Sequence, residues 1–292
     1  MHPKLLLAGA YRTLFLGTPA PRPDPLILWL IPMVGRANAG DWNRACALLA
    51  ETLASLEAAH YRNWRVLLCS QDRPEGFVEG PRHAFVQAPP QDMAKGLSDQ
   101  SVKARLLARH AARTCREFAY VSHLDADDLV HPDLPGWIAA DNNGCGYLVD
   151  KGFMLDAQSG RIARMGTAPG ESPFWKHCGS CGYFAVDFGR QKFPAFHLRL
   201  IGKGHLNYAP RSRRLGRPLA PVPFPAMIYL VNHGENIQTR RGHDKMVYLA
   251  RCEVTDPEEA ARIYAAFGLR KRDESAIGGL IEVVRAPRAD TA

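Results

Sequence analysis

The sequence predicts an α/β protein with a Rossmann-like, mostly parallel sheet flanked by helices. Three observations predict it. Short continuous apolar runs, as in strands buried on both faces, alternate with helical periodicities up to about residue 130. The order reads strand, helix, strand, strand, helix, strand, which implies parallel crossovers with helices on both faces. One of those strands runs directly into a cluster of carboxylates, at the edge where open α/β sheets bind ligands.

The elements follow in order. Residues 1–25 carry an apolar stretch interrupted by Tyr11 and Arg12, with no small-x-small site after it. They read as an N-terminal arm, mobile or interfacial, rather than a cleaved signal. Pro19, Pro21, Pro23 and Pro25 make its extended linker. Leu26 to Ile31 is the first strand, ended by Pro32. A helix is predicted over 41–60, because Trp42, Ala45, Cys46, Leu49, Leu53 and Leu56 recur at helical spacing behind a capping Asp41. Arg65 to Cys69 is the second strand and Ala84 to Val86 a short third. A basic helix is predicted over 98–117, with an apolar stripe through Ala104, Leu107, Ala108, Ala111 and Cys115. Ala119 to Leu124 is the strand that meets the acidic cluster.

The second half is less regular. Strands are predicted at 146–150, 182–186 and 226–231, with long loops and short helices over 188–225. Asp256, Pro257 and Glu259 open a terminal helix as a capping box, and Gly268 ends it. The expected division is an arm and linker (1–25), a first half (26–135), a second half of the same domain (136–270) and a loose tail (271–292).

The chain has 292 residues, 46% hydrophobic and 23% charged, which excludes a disordered, collagen-like or coiled-coil protein. No run of 18 apolar residues occurs, so no spanning helix is predicted. Lys and Arg number 37 against 29 Asp and Glu, a net +8 that favours an anionic partner. Seven cysteines, an odd number set mostly in apolar segments, indicate a reducing compartment and a cytoplasmic location.

The most informative motif is His123-Leu124-Asp125-Ala126-Asp127-Asp128-Leu129. Residues two apart in extended chain point the same way, so Asp125 and Asp127 converge at the strand's C-terminal edge. Adjacent carboxylates repel unless a cation lies between them, and Mg²⁺ or Mn²⁺ meets that need. The alternative is a solvated Asp-rich turn.

At these residues the chain resembles the GT-A fold glycosyltransferases of family 2. The resemblance rests on the first strand, the helix with Thr52-Leu53-Ala54-Ser55-Leu56, the strand ending near Asp72, the helix with Lys103 and the DADD segment. It covers residues 26–135 well and 180–240 loosely. It implies that Asp127 ligates a divalent cation (Mn²⁺ or Mg²⁺), while Asp125 contacts ribose or the metal's water shell. It implies nucleotide-sugar contacts for Asp72 and Lys103. Relatives often carry Pro-x-x-Asn after the first strand. This chain has Pro32-Met33-Val34-Gly35-Arg36, and Arg36 could stand on the base or the diphosphate.

In the second half, His233 and Asn236 match a Tyr-x-x-x-His-x-x-Asn arrangement of the same family, in which the histidine completes the metal site or contacts the diphosphate. Arg240 and Arg241 follow and could neutralise phosphate. Cys178-Gly179-Ser180-Cys181 has CxxC spacing after His177. A single CxxC supplies half a structural zinc site, with His197 and His205 the downstream imidazoles, and a redox CxxC usually opens a helix. Here the motif precedes an apolar strand, so Cys178 and Cys181 read first as a pocket wall. For the catalytic base of an inverting transfer, the Glu-Asp pair common in relatives is missing. Glu171, Asp187 and His205 are the available groups, with His205 named first and Asp187 next.

The expected activity is metal-dependent transfer of a sugar from a nucleotide diphosphate-sugar to a glycan, lipid-linked or other hydroxyl acceptor. One alternative is a nucleotidyltransferase of related fold, which the lone Gly35 disfavours. Another is a non-catalytic basic protein that binds nucleic acid or a membrane surface. The arginines of Arg211-Ser212-Arg213-Arg214-Leu215-Gly216-Arg217 lack interleaved aromatics, so no nucleic acid is expected. In a nucleotide-sugar enzyme such a loop covers phosphates or an acidic glycan, and a third use is docking on anionic lipid at the inner membrane face.

Overall fold

The computed structural model describes residues 3–17, 20–90, 99–202, 204–235, 245–271 and 281–283. In chain order the elements are α1 (Pro3–Phe15), β1 (Leu26–Pro32), α2 (Trp42–Glu57), β2 (Trp64–Ser70), β3 (His83–Gln87), α3 (Asp99–Thr114), β4 (Phe118–His123) and β5 (Leu129–Val130). There follow α4 (Leu134–Asp141), β6 (Gly146–Leu148), β7 (Gly152–Asp156), β8 (Ile162–Met165), β9 (Gly182–Asp187), α5 (Pro194–Ile201), α6 (Tyr208–Arg214), β10 (Ala220–Pro221) and β11 (Met227–Val231). The last described elements are α7 (Met246–Arg251), α8 (Pro257–Ala266), β12 (Leu269–Lys271) and β13 (Ile281–Val283).

The fold is mixed α/β around a seven-stranded sheet of order β10-β6-β9-β4-β1-β2-β3. Strands β4, β1, β2 and β3 are parallel, and β9 runs antiparallel between β4 and β6. Every residue from Leu26 to Ile31 is 0% exposed, as the continuous apolar run requires. Its alternate side chains enter different layers. Ile27, Trp29 and Ile31 join a core with α2 residues Ala45, Leu49 and Leu56. Leu26, Leu28 and Leu30 join Leu107, Ala108 and Ala111 of α3 on the other face. Full burial of each such side chain contributes about 1.5–3 kcal/mol. The chain leaves β1 toward β2 and later returns on the opposite side at β4. The topological switch point therefore lies between the C-terminal ends of β1 and β4.

A second, four-stranded sheet of order β5-β11-β7-β8 was not legible as such. It packs Phe153, Leu155, Ile162 and Ile228 against Ile263, Tyr264 and Phe267 of the α8 region. The α8 start departs from the predicted capping box. Asp256 does accept the Glu258 N–H at 3.0 Å, but Glu259 turns away to pair with the Arg164 guanidinium. The N-terminal arm is a helix laid on α5 and α6. Ala8 and Tyr11 are 2% exposed, and the Tyr11 hydroxyl donates to the Lys192 carbonyl at 2.7 Å. No helix among the described residues is long and apolar enough to cross a membrane.

Candidate functional site

The acidic cluster stands where the switch point predicts it. Past β4 the backbone turns, with Asp128 N–H donating to the Asp125 carbonyl at 3.3 Å, and re-enters order as β5. β5 pairs antiparallel with β11, Met227 opposite Val130 and Ile228 opposite Leu129. Just past β11, Asn232 takes the left-handed conformation (φ 60°), secured by its amide donating to Asp156 at 2.9 Å. This turn delivers His233, whose side chain is 0% exposed, to Asp127. His233 Nε2 lies 2.9 Å from Asp127 Oδ2, yet the pair is not aligned as a hydrogen bond. On the other side of the ring, Glu235 N–H donates to His233 Nδ1 at 3.3 Å. A nitrogen that accepts carries no proton, so the neutral ring holds its proton on Nε2, facing Asp127. The Glu235 carboxylate fixes the loop further by accepting from Gly40 N (3.0 Å) and Asp41 N (2.7 Å) at the start of α2.

The CxxC segment forms the wall behind Asp128. Asp128 is 0% exposed, and its Oδ2 accepts from the Cys178 thiol at 2.9 Å and the Ser180 hydroxyl at 2.5 Å. Ser180 Oγ also accepts the Asp125 N–H at 2.9 Å. Asp128 Oδ1 has no hydrogen-bond partner among the described residues. Among those residues, one group of three potential metal-ligand side chains lies within 4.8 Å: Asp125, Asp128 and Cys178. Burial, then the Asp127 charge, pushes the Asp125 carboxyl up to about 7. Burial and both neighbouring carboxylates push Asp128 well above the ordinary range. Desolvation first and like charge second therefore disfavour the ionised form of both carboxyls. The donor set is oxygen-rich with an unpartnered buried carboxylate oxygen, so it fits a hard divalent ion. Burial also raises the Cys178 and Cys181 thiols, which therefore lack the low-pKa thiolate of a redox CxxC. His197 points elsewhere, accepting from Gln191 at 2.8 Å beneath the arm. His177 packs on Tyr248 with ring centres 4.9 Å apart.

The remaining predicted residues divide. Pro32 ends β1 opposite Cys69. Asp72, just past β2, accepts Arg36 N–H at 2.8 Å, two strand spacings or about 10 Å from the β4 line. The Arg36 guanidinium is drawn aside by Glu75 (2.9 Å) and lies over Trp42 at 5.2 Å. Lys103 does not lie on a solvated helix face. It is 1% exposed, with Nζ donating to Met33 O and to Asp99, each at 2.5 Å. Its charge is matched within the core, and it clamps the loop after β1.

Asp187 is corrected outright as a base. β9 is antiparallel to β4, so Asp187 stands opposite Phe118, at the far edge of the sheet from Asp125 and about 20 Å away. There it accepts from Gly189 N and Arg190 N and pairs with Arg22 at 3.5 Å. Glu171 turns back on its own loop, accepting from Ala168 N at 3.4 Å. His205 remains on the site's side of the fold, in a short 3-10 turn. Its Nδ1 lies 2.5 Å from the Trp175 carbonyl, which can only accept, so Nδ1 is the donor and Nε2 is the nitrogen left for other partners. Asn236, Arg240 and Arg241 lie outside the described residues. Sequence reading passed over Asp128 as a residue in its own right, Ser180, Glu235 and Gln100, whose amide approaches Asp125 at 3.4 Å. The third carboxylate of the motif was a visible signal for Asp128, and the other three had none.

No family model matches the chain, and no curated protein does. Among solved structures the chain is similar to the crystal structure of S. aureus TarS 1–349, with a TM-score of 0.38 and 10% sequence identity over 83% of this chain and 70% of that one. The functional reading rests on the site's own geometry.

Proposed function

We propose that the protein is a metal-dependent glycosyltransferase of GT-A type that moves a sugar from a nucleotide diphosphate-sugar to a hydroxyl acceptor. One observation carries the reading: past β4, at the switch point of a mostly parallel sheet, Asp127 meets a buried His233 while Asp125 and Asp128 gather beside Cys178. Asp127 and Asp125 would hold the Mn²⁺ or Mg²⁺. The cation would stabilise negative charge on the departing diphosphate. His233 belongs to this site as a donor: its Nε2–H faces Asp127 and would serve a diphosphate oxygen on the same side. That differs from a ligand role, which needs the Nε2 lone pair. Asp128, held by Cys178 and Ser180, fixes the turn that aims the other two carboxylates. Asp72 and the backbone after Pro32 would meet the nucleoside, with Arg36 available once released from Glu75. His205, whose Nε2 is not taken up by the Trp175 carbonyl, is the group we assign to take the acceptor's hydroxyl proton.

A thermal-shift panel of UDP, GDP and dTDP with and without Mn²⁺ tests this. At least one diphosphate should raise the Tm in an Mn²⁺-dependent way, and Asp127→Ala should abolish the rise. No shift across the panel overturns the reading. A shift given equally by nucleoside triphosphates, with pyrophosphate release and no sugar transfer, would favour the nucleotidyltransferase.

A further inference from the structure

The charge excess is concentrated in two segments of the chain. Residues 1–23 carry three Lys or Arg and no Asp or Glu, and residues 188–234 carry eight and none, so the rest of the chain is net acidic. Far apart in sequence, these two segments are joined in the fold, because α1 packs on α5 and α6. Arg12, Arg190, Lys192, Arg199, Arg213 and Arg214 are all exposed.

The same face is also apolar. Helix α1 buries Ala8 and Tyr11 and turns Leu6 (56% exposed), Leu7 (52%) and Leu14 (69%) to solvent. Leu7, Ala10 and Leu14 recur at helical spacing, so this is a second, outward stripe. Phe193 extends it. It is 60% exposed, and its ring meets Phe15 edge-on with centres 5.4 Å apart. Phe193 holds φ 59°, a conformation that is costly for an aromatic residue and here keeps a ring in water. Between α1 and α6 lies an open notch of about 550 Å³, lined by Gly9, Arg12, Thr13, Arg214 and Gly216. Two arginines at the mouth of a notch beside exposed leucines suit a phosphate headgroup with its acyl chains alongside.

We infer that the α1–α5–α6 face docks on the surface of an anionic phospholipid bilayer. Leu6, Leu7, Leu14, Phe15 and Phe193 enter the acyl boundary, while Arg12, Arg213 and Arg214 meet the headgroups. At 13 residues α1 is about 20 Å long, too short to span, so it lies in the interface plane. Apolar anchors together with cations supply the two signals that stable peripheral binding needs. Helix α6 joins this face to the site: its first residue, Tyr208, lies within electrostatic reach of Asp125 and Cys178.

The test is co-sedimentation of the full chain with phosphatidylcholine vesicles and with mixed phosphatidylcholine–phosphatidylglycerol vesicles. Binding should require phosphatidylglycerol and weaken with salt. The double variant Leu7→Glu/Leu14→Glu should bind at least tenfold less, with an unchanged thermal transition because both side chains face solvent. Should that variant misfold, Arg12→Glu/Arg213→Glu gives the same readout through charge. Phe193→Trp should shift its emission to the blue on the mixed vesicles. The inference is overturned if the wild type ignores phosphatidylglycerol, or if the folded variants bind as well as wild type. It is equally overturned if a single-stranded oligonucleotide binds this face while vesicles do not, or if the face pairs two copies of the chain in sedimentation equilibrium. None of these readouts needs the transferase to turn over.

Discussion

His233 Nε2 and Asp127 Oδ2 sit 2.9 Å apart, in close contact without a well-aligned hydrogen bond. The two residues are 106 positions apart in the chain, and the β5–β11 ladder brings them together. A buried imidazole N–H beside a half-aligned carboxylate is held for a further polar atom.

Replacing His233 therefore separates donor from ligand. His233→Gln keeps an N–H and should retain most of the diphosphate-dependent thermal shift. His233→Ala should weaken diphosphate binding about tenfold to a hundredfold, the loss of a hydrogen bond to a charged group of about 1.5–3 kcal/mol. Titration calorimetry with the preferred diphosphate and Mn²⁺ reads the difference. Equal losses in both variants would show that the ring's lone pair, not its proton, is needed.

Lys103 and Asp99 form a pair with side chains 2% and 17% exposed. Lys103→Met strips Asp99 and the Met33 carbonyl of their donor. It should destabilise the fold by about 3–5 kcal/mol in urea denaturation, while Lys103→Met/Asp99→Asn should recover part of that loss. If the single variant is as stable as wild type, the buried-pair account fails.

The CxxC segment should behave as a wall. Cys178→Ser keeps a donor to Asp128 and should cost little, whereas Cys178→Ala should cost about 1–3 kcal/mol by leaving a buried acceptor short of a partner. In the folded protein Cys178 and Cys181 should resist alkylation, since burial raises both thiols. Rapid modification of both by iodoacetamide, read by mass spectrometry, would contradict this.

Acid stability should depend on His197. Burial first, then Arg217, lowers its pKa to about 3 in the fold, against the ordinary 6.5. The unfolded chain binds this proton below 6.5 and the fold does not, so stability falls as pH drops through that window. The slope is up to about 1.4 kcal/mol per pH unit. Burial also lowers His123 and His177, each to about 4, and both add to the slope that urea denaturation should show between pH 7 and 5, so His197→Phe should reduce it. An unchanged slope in that variant would place the linkage elsewhere.

His205→Gln should lower transfer about a hundredfold to ten-thousandfold and leave the Mn²⁺–diphosphate thermal shift intact. Loss of the shift together with activity would make His205 a structural residue.

These expectations also show what the sequence could carry. Elements with a local signature were readable: Leu26 to Ile31 as a doubly buried strand, Asp41 as the α2 cap, and DADD at a strand end. Pairing direction leaves no such trace. Asp187 follows its strand as the acidic cluster follows β4, and only the antiparallel setting of β9 sends it to the opposite edge. Lys103 sits on a helix otherwise rich in exposed arginines, and its burial depends on a carbonyl seventy residues away. Glu259 had the spacing of a capping box, but the closer opposite charge of Arg164 took it. The second sheet escaped notice because β5 has two residues and β8 four, too short for a period to register.

The most direct measurement is anomalous diffraction from crystals grown with Mn²⁺ and the diphosphate that gives the largest thermal shift. The account predicts an Mn²⁺ peak between Asp125 and Asp127, with His233 Nε2 on a phosphate oxygen. Diphosphate density without Mn²⁺ at those carboxylates, or Mn²⁺ bound at some other place on the chain, would contradict it.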